Sequence, residues 1–554
     1  MMKRSLILAS LLSTSEVALA QQRPDAGQQI HQIPLLPAVP RQAPDIAIGK
    51  AAAAAVPDAG GATVAVDIVR VSGQTLFSEQ QLIAATDFKP GSALNLSQMR
   101  NIAAQITRFY NDRGYFLAQA YLPAQDVLDR TVSIAVVEGR YGEVAINNSA
   151  ALSGGQARGI LAGLDRGDAV TSHLLERRLL LLSDIPGIAV SSTLSPGSAA
   201  GTSDLTVNLQ RSRLISGSVE ADNGGNRFTG AYRAGGTLNL NNPSGRGDLL
   251  SLRALASSSG LAYGRAAYQT LLGDSTVGLA YSHINYALGR EFKVLDADGT
   301  ADVVSLFGSH PLVRSRDTNL NALAGVDAKF FKDRVGAAST VTRRRANVAN
   351  LGLSGNHRDH LGGGGSTLFS IGATVGDLDI RSSADRAIDR TTARTNGNYA
   401  KLQAGVARLQ RLTDTLSLYA SVRGQLASKN LDSAEKMQLG GAYGVRAYPE
   451  GEGYGDEGYV ASAEARLQLP RFTPLPGDLA LFGFVDAGAV KFAKNPWFPG
   501  ANRAHRSGVG AGVSWTSPNN FLLKGTYAHK LGDQDVTSER DRDGRFWFQI
   551  AKLF

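Results

Sequence analysis

Beyond Arg213 helical periodicity disappears, and a side-chain period of two runs to the C-terminus. Leu416, Leu418, Ala420, Val422 and Leu426 fall on one face of an extended chain, and Ser417, Tyr419, Ser421, Arg423 and Gln425 on the other. Tyr459, Ala461, Ala463, Ala465, Leu467 and Leu469 repeat the pattern against Ser462, Glu464, Arg466 and Gln468. Alternation bounded by Gly, Asp, Asn and Pro marks sixteen strands, starting near residues 214, 231, 248, 261, 275, 301, 318, 346, 366, 399, 415, 459, 479, 507, 521 and 545. Connections at 241–248, 273–274, 412–415 and 517–520 are short; those at 286–300, 377–398, 427–458, 495–505 and 532–544 are long. A soluble sandwich has no reason to alternate in this way, whereas a transmembrane β-barrel has short turns on one side and long loops on the other. No apolar run reaches the roughly 18 residues of a spanning helix, so a helical membrane protein is excluded and a barrel is not.

Composition narrows the chemistry. The 62 glycines suit many strands and tight turns. The absence of Cys excludes a disulfide scaffold, Cys-based zinc or iron–sulfur sites and thiol catalysis. A net charge of +9 is modest for 554 residues; it permits an anionic partner without requiring nucleic acid.

The N-terminal part divides by texture. Lys3 and Arg4, the apolar stretch 5–12 and Ala18-Leu19-Ala20 read as a secretory signal peptide over 1–20. Six of the 19 prolines lie in 21–60, so 21–63 reads as a Pro/Ala-rich tether with a short helix around 46–55; 21–63 is a candidate for a plug helix, which the prolines obscure. Over 64–139 the order is β-α-α-β-β, with Met99, Ile102, Ala103, Ile106, Phe109 and Tyr110 at helical spacing. The order repeats over 140–212, and 213–554 is the barrel. With this arm in the periplasm, strand parity makes 427–458 the sixth outer loop. Phe546, Phe548, Ile550 and the terminal Phe554 share one face of the last strand. Phe548 and Phe554 thus resemble the signal read by the outer-membrane barrel assembly machinery; Lys552 interrupts that face and can snorkel at the rim.

Arm and barrel together resemble the outer-membrane transporters of two-partner secretion, the haemolysin secretion/activation and filamentous-haemagglutinin transporter type, within the outer-membrane assembly-factor superfamily. The resemblance spans about residues 65–554. Phe109-Tyr110 to Gly114-Tyr115, Ala120-Tyr121-Leu122-Pro123-Ala124-Gln125 and Val136-Val137-Glu138-Gly139 look like the family's first POTRA domain. Leu175-Glu176-Arg177, Leu182-Ser183-Asp184-Ile185-Pro186-Gly187 and Gly201-Thr202-Ser203-Asp204-Leu205 look like its second. Asp222-Asn223-Gly224 and Asn242-Pro243-Ser244-Gly245-Arg246-Gly247-Asp248 look like the barrel entry. Val445-Arg446-Ala447-Tyr448 resembles the Val-Arg-Gly-Tyr motif of the sixth loop, with Ala447 where glycine is usual. Phe484-Val485-Asp486-Ala487-Gly488 resembles the partner Phe-x-Asp-x-Gly motif on a strand. The resemblance implies that the loop folds into the lumen and is locked through Arg446, Tyr448, Asp486 and Gly488. An ionised carboxylate on an otherwise apolar strand belongs on the lumen side, and a guanidinium offers it two directed bonds.

What the resemblance implies about function is export of one large, unfolded, β-helical exoprotein without ATP. The arm would receive it at Tyr115, Tyr121, Leu122, Val136 and Val137. Arg423, Glu464, Arg466 and Lys524 are expected to line a wet lumen. Outer-membrane lipid and lipopolysaccharide are further expected partners, the latter through Arg343-Arg344-Arg345 in or near the fourth outer loop. No cofactor, metal or nucleic acid is implied. His357 and His360 flank a turn without a third ligand, and the loops carry no catalytic motif, so no enzyme is expected. A barrel-assembly or translocation factor is the rival within the superfamily, and a passive porin the rival outside it. Neither cargo identity nor oligomeric state is legible.

Overall fold

The computed structural model describes residues 24–34, 45–47, 61–471 and 476–554. The signal peptide expected at 1–20 lies outside the described residues. Of the helix expected around 46–55, residues 48–55 lie outside them too, while 45–47 form a strand. The helix of this region lies earlier, as α1 (Ala26–His31), and strand β1 (Asp45–Ala47) follows it.

The first α/β unit comprises β2 (Val64–Val66), β3 (Ile68–Ser72), α2 (Glu79–Ala84), β4 (Ser92–Leu94), α3 (Leu96–Asp112), β5 (Gln119–Tyr121) and β6 (Thr131–Val137). Its main sheet has the order β3-β6-β5. Helix α3 starts at a capping box, in which Asn95 and Gln98 satisfy each other's backbone N–H, and buries Met99, Ile102, Ala103, Ile106 and Tyr110 on one face. The second unit comprises β7 (Arg140–Asn148), α4 (Gly154–Ile160), α5 (Ser172–Ser183), β8 (Ile188–Pro196) and β9 (Thr202–Arg211). Strand β1 adds to it in parallel along β8, giving the sheet order β1-β8-β9-β7.

The barrel runs through β10 (Ile215–Asp222), β11 (Arg233–Asn241), β12 (Leu249–Ser257), β13 (Leu261–Leu272), β14 (Ser275–Ala287) and β15 (Ala297–Arg314). It continues through β16 (Thr318–Val335), β17 (Thr340–Asp359), β18 (Gly365–Ile380), β19 (Gly397–Arg411) and β20 (Leu416–Ala427). Two short loop strands, β21 (Met437–Gln438) and β22 (Tyr454–Gly455), come next. Then β23 (Glu457–Gln468), β24 (Asp478–Lys491), β25 (Arg503–Thr516), β26 (Phe521–Lys530) and β27 (Gly544–Leu553) close the barrel on β10. The sixteen-stranded barrel is the one expected. The widest disagreement is at β17, which starts at Thr340 rather than near 346. The Arg343–Arg345 run, expected in or near a loop, belongs to this strand; a run that is polar on both faces carries no alternation and so looks like a loop in sequence. Outward residues lower down are apolar and exposed, among them Val326, Leu351 and Val375.

Helix α5 seats the arm on the periplasmic turns. Asp184 accepts two bonds from Arg314 (2.7 and 2.9 Å), Arg178 reaches Asp274 at 3.1 Å, and Arg177 donates to the Pro311 carbonyl at 2.9 Å.

Within the first unit, Glu138 is buried and ties three segments together. It accepts bonds from the Thr75 and Leu76 amides (2.7 and 2.8 Å), the Tyr110 hydroxyl (2.9 Å) and the Thr75 hydroxyl. Burial alone would raise this carboxyl, but these bonds hold it below the usual carboxylate range. Its contribution is therefore complete above the ordinary carboxyl pKa and is lost as pH falls through the lowered one. Glu138→Gln is expected to destabilise the unit by about 1–3 kcal/mol near neutrality and to flatten the acid limb of its stability. Hydrogen exchange of the α3 amides in the intact chain measures both. An acid limb as steep in the variant as in the parent would refute the assignment.

Candidate functional site

Loop 6 (428–456) turns back into the lumen, with β21 and β22 pairing at its stem. Its tip carries Arg446, whose guanidinium is held on every side. Nε and Nη2 donate to the two Asp486 oxygens at 2.7 Å each, Nη1 to Glu464 at 2.7 Å, and Nη2 also to Ser462 at 2.9 Å. The Arg446 amide donates to Asp486 at 3.1 Å, and its carbonyl accepts from the Trp547 indole at 2.7 Å. The guanidinium carbon lies 3.4 Å from the Phe484 ring centroid. Asp486 is fully buried. Such a pair adds modest net stability, but removing one partner costs about 3–5 kcal/mol, because it strands the other charge.

Small residues admit the tip. A Cβ on Gly488 would lie 2.7 Å from both the Leu439 side chain and the Tyr459 carbonyl. Ala447, where glycine was expected, does not adopt positive φ. Its methyl instead fits against Gly508, where a Cβ would approach it to 2.5 Å. Tyr448 is fully buried, with the Arg506 guanidinium 5.1 Å from its ring and its hydroxyl 3.5 Å from the Gln534 carbonyl.

Two further tethers escaped the sequence reading. Glu452, fully buried, accepts two bonds from Arg506 on β25 (2.6 and 3.1 Å). It also accepts from the amides and hydroxyls of Thr537 and Ser538, at 2.9–3.0 Å. It thereby draws outer loop 8 (531–543) over loop 6. The second tether is α1 itself, inside the lumen. Asp25 caps the helix by accepting from the Gln28 amide at 3.0 Å, and also takes Ser433 and Arg344 (3.1 Å). Arg344 also holds Asp333 at 2.9 Å and Asp432 at 2.5 Å, and Asp333 accepts from the Ala26 amide at 2.9 Å. A Cβ on Gly27 would stand 2.5 Å from the Ser433 hydroxyl. Helix α1 is six residues long, too short to show an apolar stripe in sequence, although Ala26 and Ile30 pack in an apolar cluster. The alternation of β17, which turns Arg344 inward, was its one available signal.

Other expected residues fall variously. Glu464 does more than line the lumen: besides Arg446 it takes Arg466 at 2.6 and 2.9 Å. Arg466 stacks on Tyr419, Lys524 faces Phe482, and Arg423 donates to the Tyr443 carbonyl at 2.9 Å. Of the five proposed substrate contacts, Tyr121 is exposed on β5. Val136 is corrected: it is buried in the unit's core because its side of β6 faces α3. Tyr115 and Leu122 are partly buried against that core, with Tyr115 edge-on to Phe77 and Tyr110. Val137 faces the other way, toward Gly201 of the second unit. Phe554 is exposed, Phe548 is half-buried, and Lys552 reaches the Asn519 carbonyl. His357 bonds the Thr318 hydroxyl at 2.8 Å.

A family model described as haemolysin secretion/activation protein ShlB/FhaC/HecB matches residues 201–515, and a ShlB-type POTRA domain matches 64–139. The chain belongs to the ShlB/FhaC/HecB family. A heme/hemopexin transporter protein HuxB of Haemophilus influenzae is 28% identical over 471 residues, covering 84% of this chain and 82% of the relative. An outer membrane transporter CdiB of Dickeya dadantii is 24% identical over 429 residues, covering 76% and 75%. The solved structure of CdiB from Escherichia coli superposes with a TM-score of 0.75 at 21% identity, covering 91% of this chain and 93% of that one. CdiB from Acinetobacter baumannii gives 0.65 at 20% identity, covering 99% and 97%. As a ShlB/FhaC/HecB member this chain is a two-partner secretion transporter of the outer membrane, with its POTRA region in the periplasm and a secreted exoprotein as its partner. The family consists of transporters rather than enzymes.

In this ShlB/FhaC/HecB member Arg446→Ala and Asp486→Ala are expected to be non-additive by about 1–3 kcal/mol in the stability of the reconstituted barrel, with each single variant raising channel conductance in planar bilayers. Effects that simply sum would mean that the two residues do not act as a pair. Glu452→Gln leaves Arg506 uncompensated and is expected to speed hydrogen exchange across 531–543 with the Arg446 contacts intact. Unchanged exchange there would rule out a tether between loops 6 and 8.

Proposed function

We propose that this transporter receives its exoprotein unfolded at the periplasmic arm and passes it through the barrel to the cell surface. The observation that carries this reading is how the lumen is filled. Helix α1 and loop 6 are fastened to the wall by Arg344, Arg446 and their carboxylates, beside apolar contacts such as those of Val445 and Tyr448. Groups of this kind exchange protein partners for water at little net cost when they move into an aqueous pore. A lumen closed partly in this way has fastenings that water can replace as it opens.

On this reading the domain boundaries are 1–20 for the signal peptide, 21–63 for the tether and plug helix, 64–139 and 140–212 for two POTRA domains, and 213–554 for the barrel. An extended substrate adds to a POTRA strand edge through backbone hydrogen bonds, with Tyr121 on the edge strand β5 the best placed of the proposed contacts. Arg446, Tyr448, Asp486 and Gly488 form the lock that releases loop 6. Folding of the exoprotein outside supplies direction. Phe548 and Phe554 address the chain to the barrel assembly machinery. The description of the matching family, haemolysin secretion/activation, favours a secreted protein cargo over a small solute.

The test is co-expression with a candidate exoprotein, sought first in the neighbouring genes. Deleting 64–212 is expected to abolish surface delivery while leaving a heat-modifiable barrel in the outer membrane. Undiminished delivery would reject the arm as the receiving site.

A further inference from the structure

Charge at the outer rim of β15–β18 lies apart from the Arg344 and Arg446 contacts of the lumen. Strand registers align outward side chains into rows about 7 Å apart along the strands. Leu306, Val326, Ala349 and Val375 make an apolar row. Two rows above it lie Asp302, Phe330, Arg345 and Asp379. Next comes a cationic row, in which Lys332 stands directly opposite Arg343, and the Arg381 amide donates to the Arg343 carbonyl at 2.9 Å. Like charges facing each other across strands destabilise a sheet, so this arrangement needs a compensating partner.

The neighbouring carboxylates do not provide it. Asp302 is engaged by Tyr281 (2.6 Å) and His283 (2.7 Å), Asp379 by Arg381 (3.0 Å) and Arg386 (2.9 Å), and Asp298 by Arg334 (2.6 Å). Among the described residues, Lys332, Arg343 and Arg345 have no ion-pair partner. Lys332 and Arg343 are exposed. Arg345 lies with its guanidinium carbon 5.3 Å from the ring centroid of the exposed Phe330, and its buried Nε lacks a hydrogen-bond partner.

We propose that Lys332, Arg343 and Arg345 form a binding site for a lipid A phosphate of the outer leaflet. The guanidinium planes offer a phosphate paired N–H donors, and the lysine adds a point charge. Phe330 and the apolar rows below accept the acyl chains of the same molecule, which free phosphate does not bring. The site sits on the outward face of β17, whose inward face holds Arg344 on the plug helix. Consecutive arginines thus serve the lipid and the lumen by turns.

The experiment uses the purified full chain in detergent micelles, titrated with lipid A, with chemically dephosphorylated lipid A and with inorganic phosphate, and read by native mass spectrometry and by the shift in Tm. Lipid A is expected to bind about tenfold more weakly to the Lys332→Ser/Arg343→Ser variant than to the parent. Arg345→Gln leaves both exposed cations in place and is expected to fall between the two. Arg503→Ser/Arg540→Ser removes the same charge from exposed positions elsewhere on the outer side and is expected to bind as the parent does. Dephosphorylated lipid A and inorganic phosphate are expected to bind weakly and equally to all four proteins. Heat-modifiable migration establishes that each variant is folded. Equal affinity of the parent and the Lys332/Arg343 variant would overturn the proposal. So would an equal loss in the Arg503/Arg540 control, or tight binding of the dephosphorylated lipid.

Discussion

One buried guanidinium organises the lumen. Arg446 is anchored to two neighbouring strands at once, to Asp486 on β24 and to Glu464 and Ser462 on β23, and its carbonyl receives Trp547 from β27. Loop 6 packs Leu439, Val445 and Tyr448 against the wall, but apolar contact is non-directional and does not set its register. The directed bonds of a planar cation fix it instead. The features around it follow from that demand: Gly488 and Gly508 thin the wall where the tip approaches, and Phe484 supplies a ring face for the cation.

The same economy recurs at α1. A six-residue helix is far too short to be stable alone, so its environment must supply the order. Asp25 at its N-terminus, Arg344 from β17 and Asp432 from loop 6 converge there. Because Arg344 touches both the helix and the loop, neither can leave without changing the charge balance of the other.

Much of the fold was legible because a barrel repeats one rule. Period-two alternation places every strand in the membrane, and this set the strand starts closely apart from β17, where the rim is polar on both faces. The Arg446–Asp486 contact was legible through motif resemblance, supported by the cost of a carboxylate facing lipid. Glu452 was not, since a lone acidic residue in a loop gives no sign of the six donors that the fold gathers from β25 and loop 8. Helix α1 was obscured by the prolines around it and by its dependence on distant partners. Val136 shows the opposite failure: alternation in β6 told that one face is buried, but not which one.

Trp547 carries a consequence for how the molecule is made. It lies on the last strand to be synthesised, the strand that closes the barrel on β10, and its indole completes the set of bonds around the loop tip. The final strand and the loop therefore reach their places together. Until β27 pairs with β10, the Arg446 carbonyl lacks its indole donor. That one bond ties the fit of the loop tip to the pairing of the first and last barrel strands.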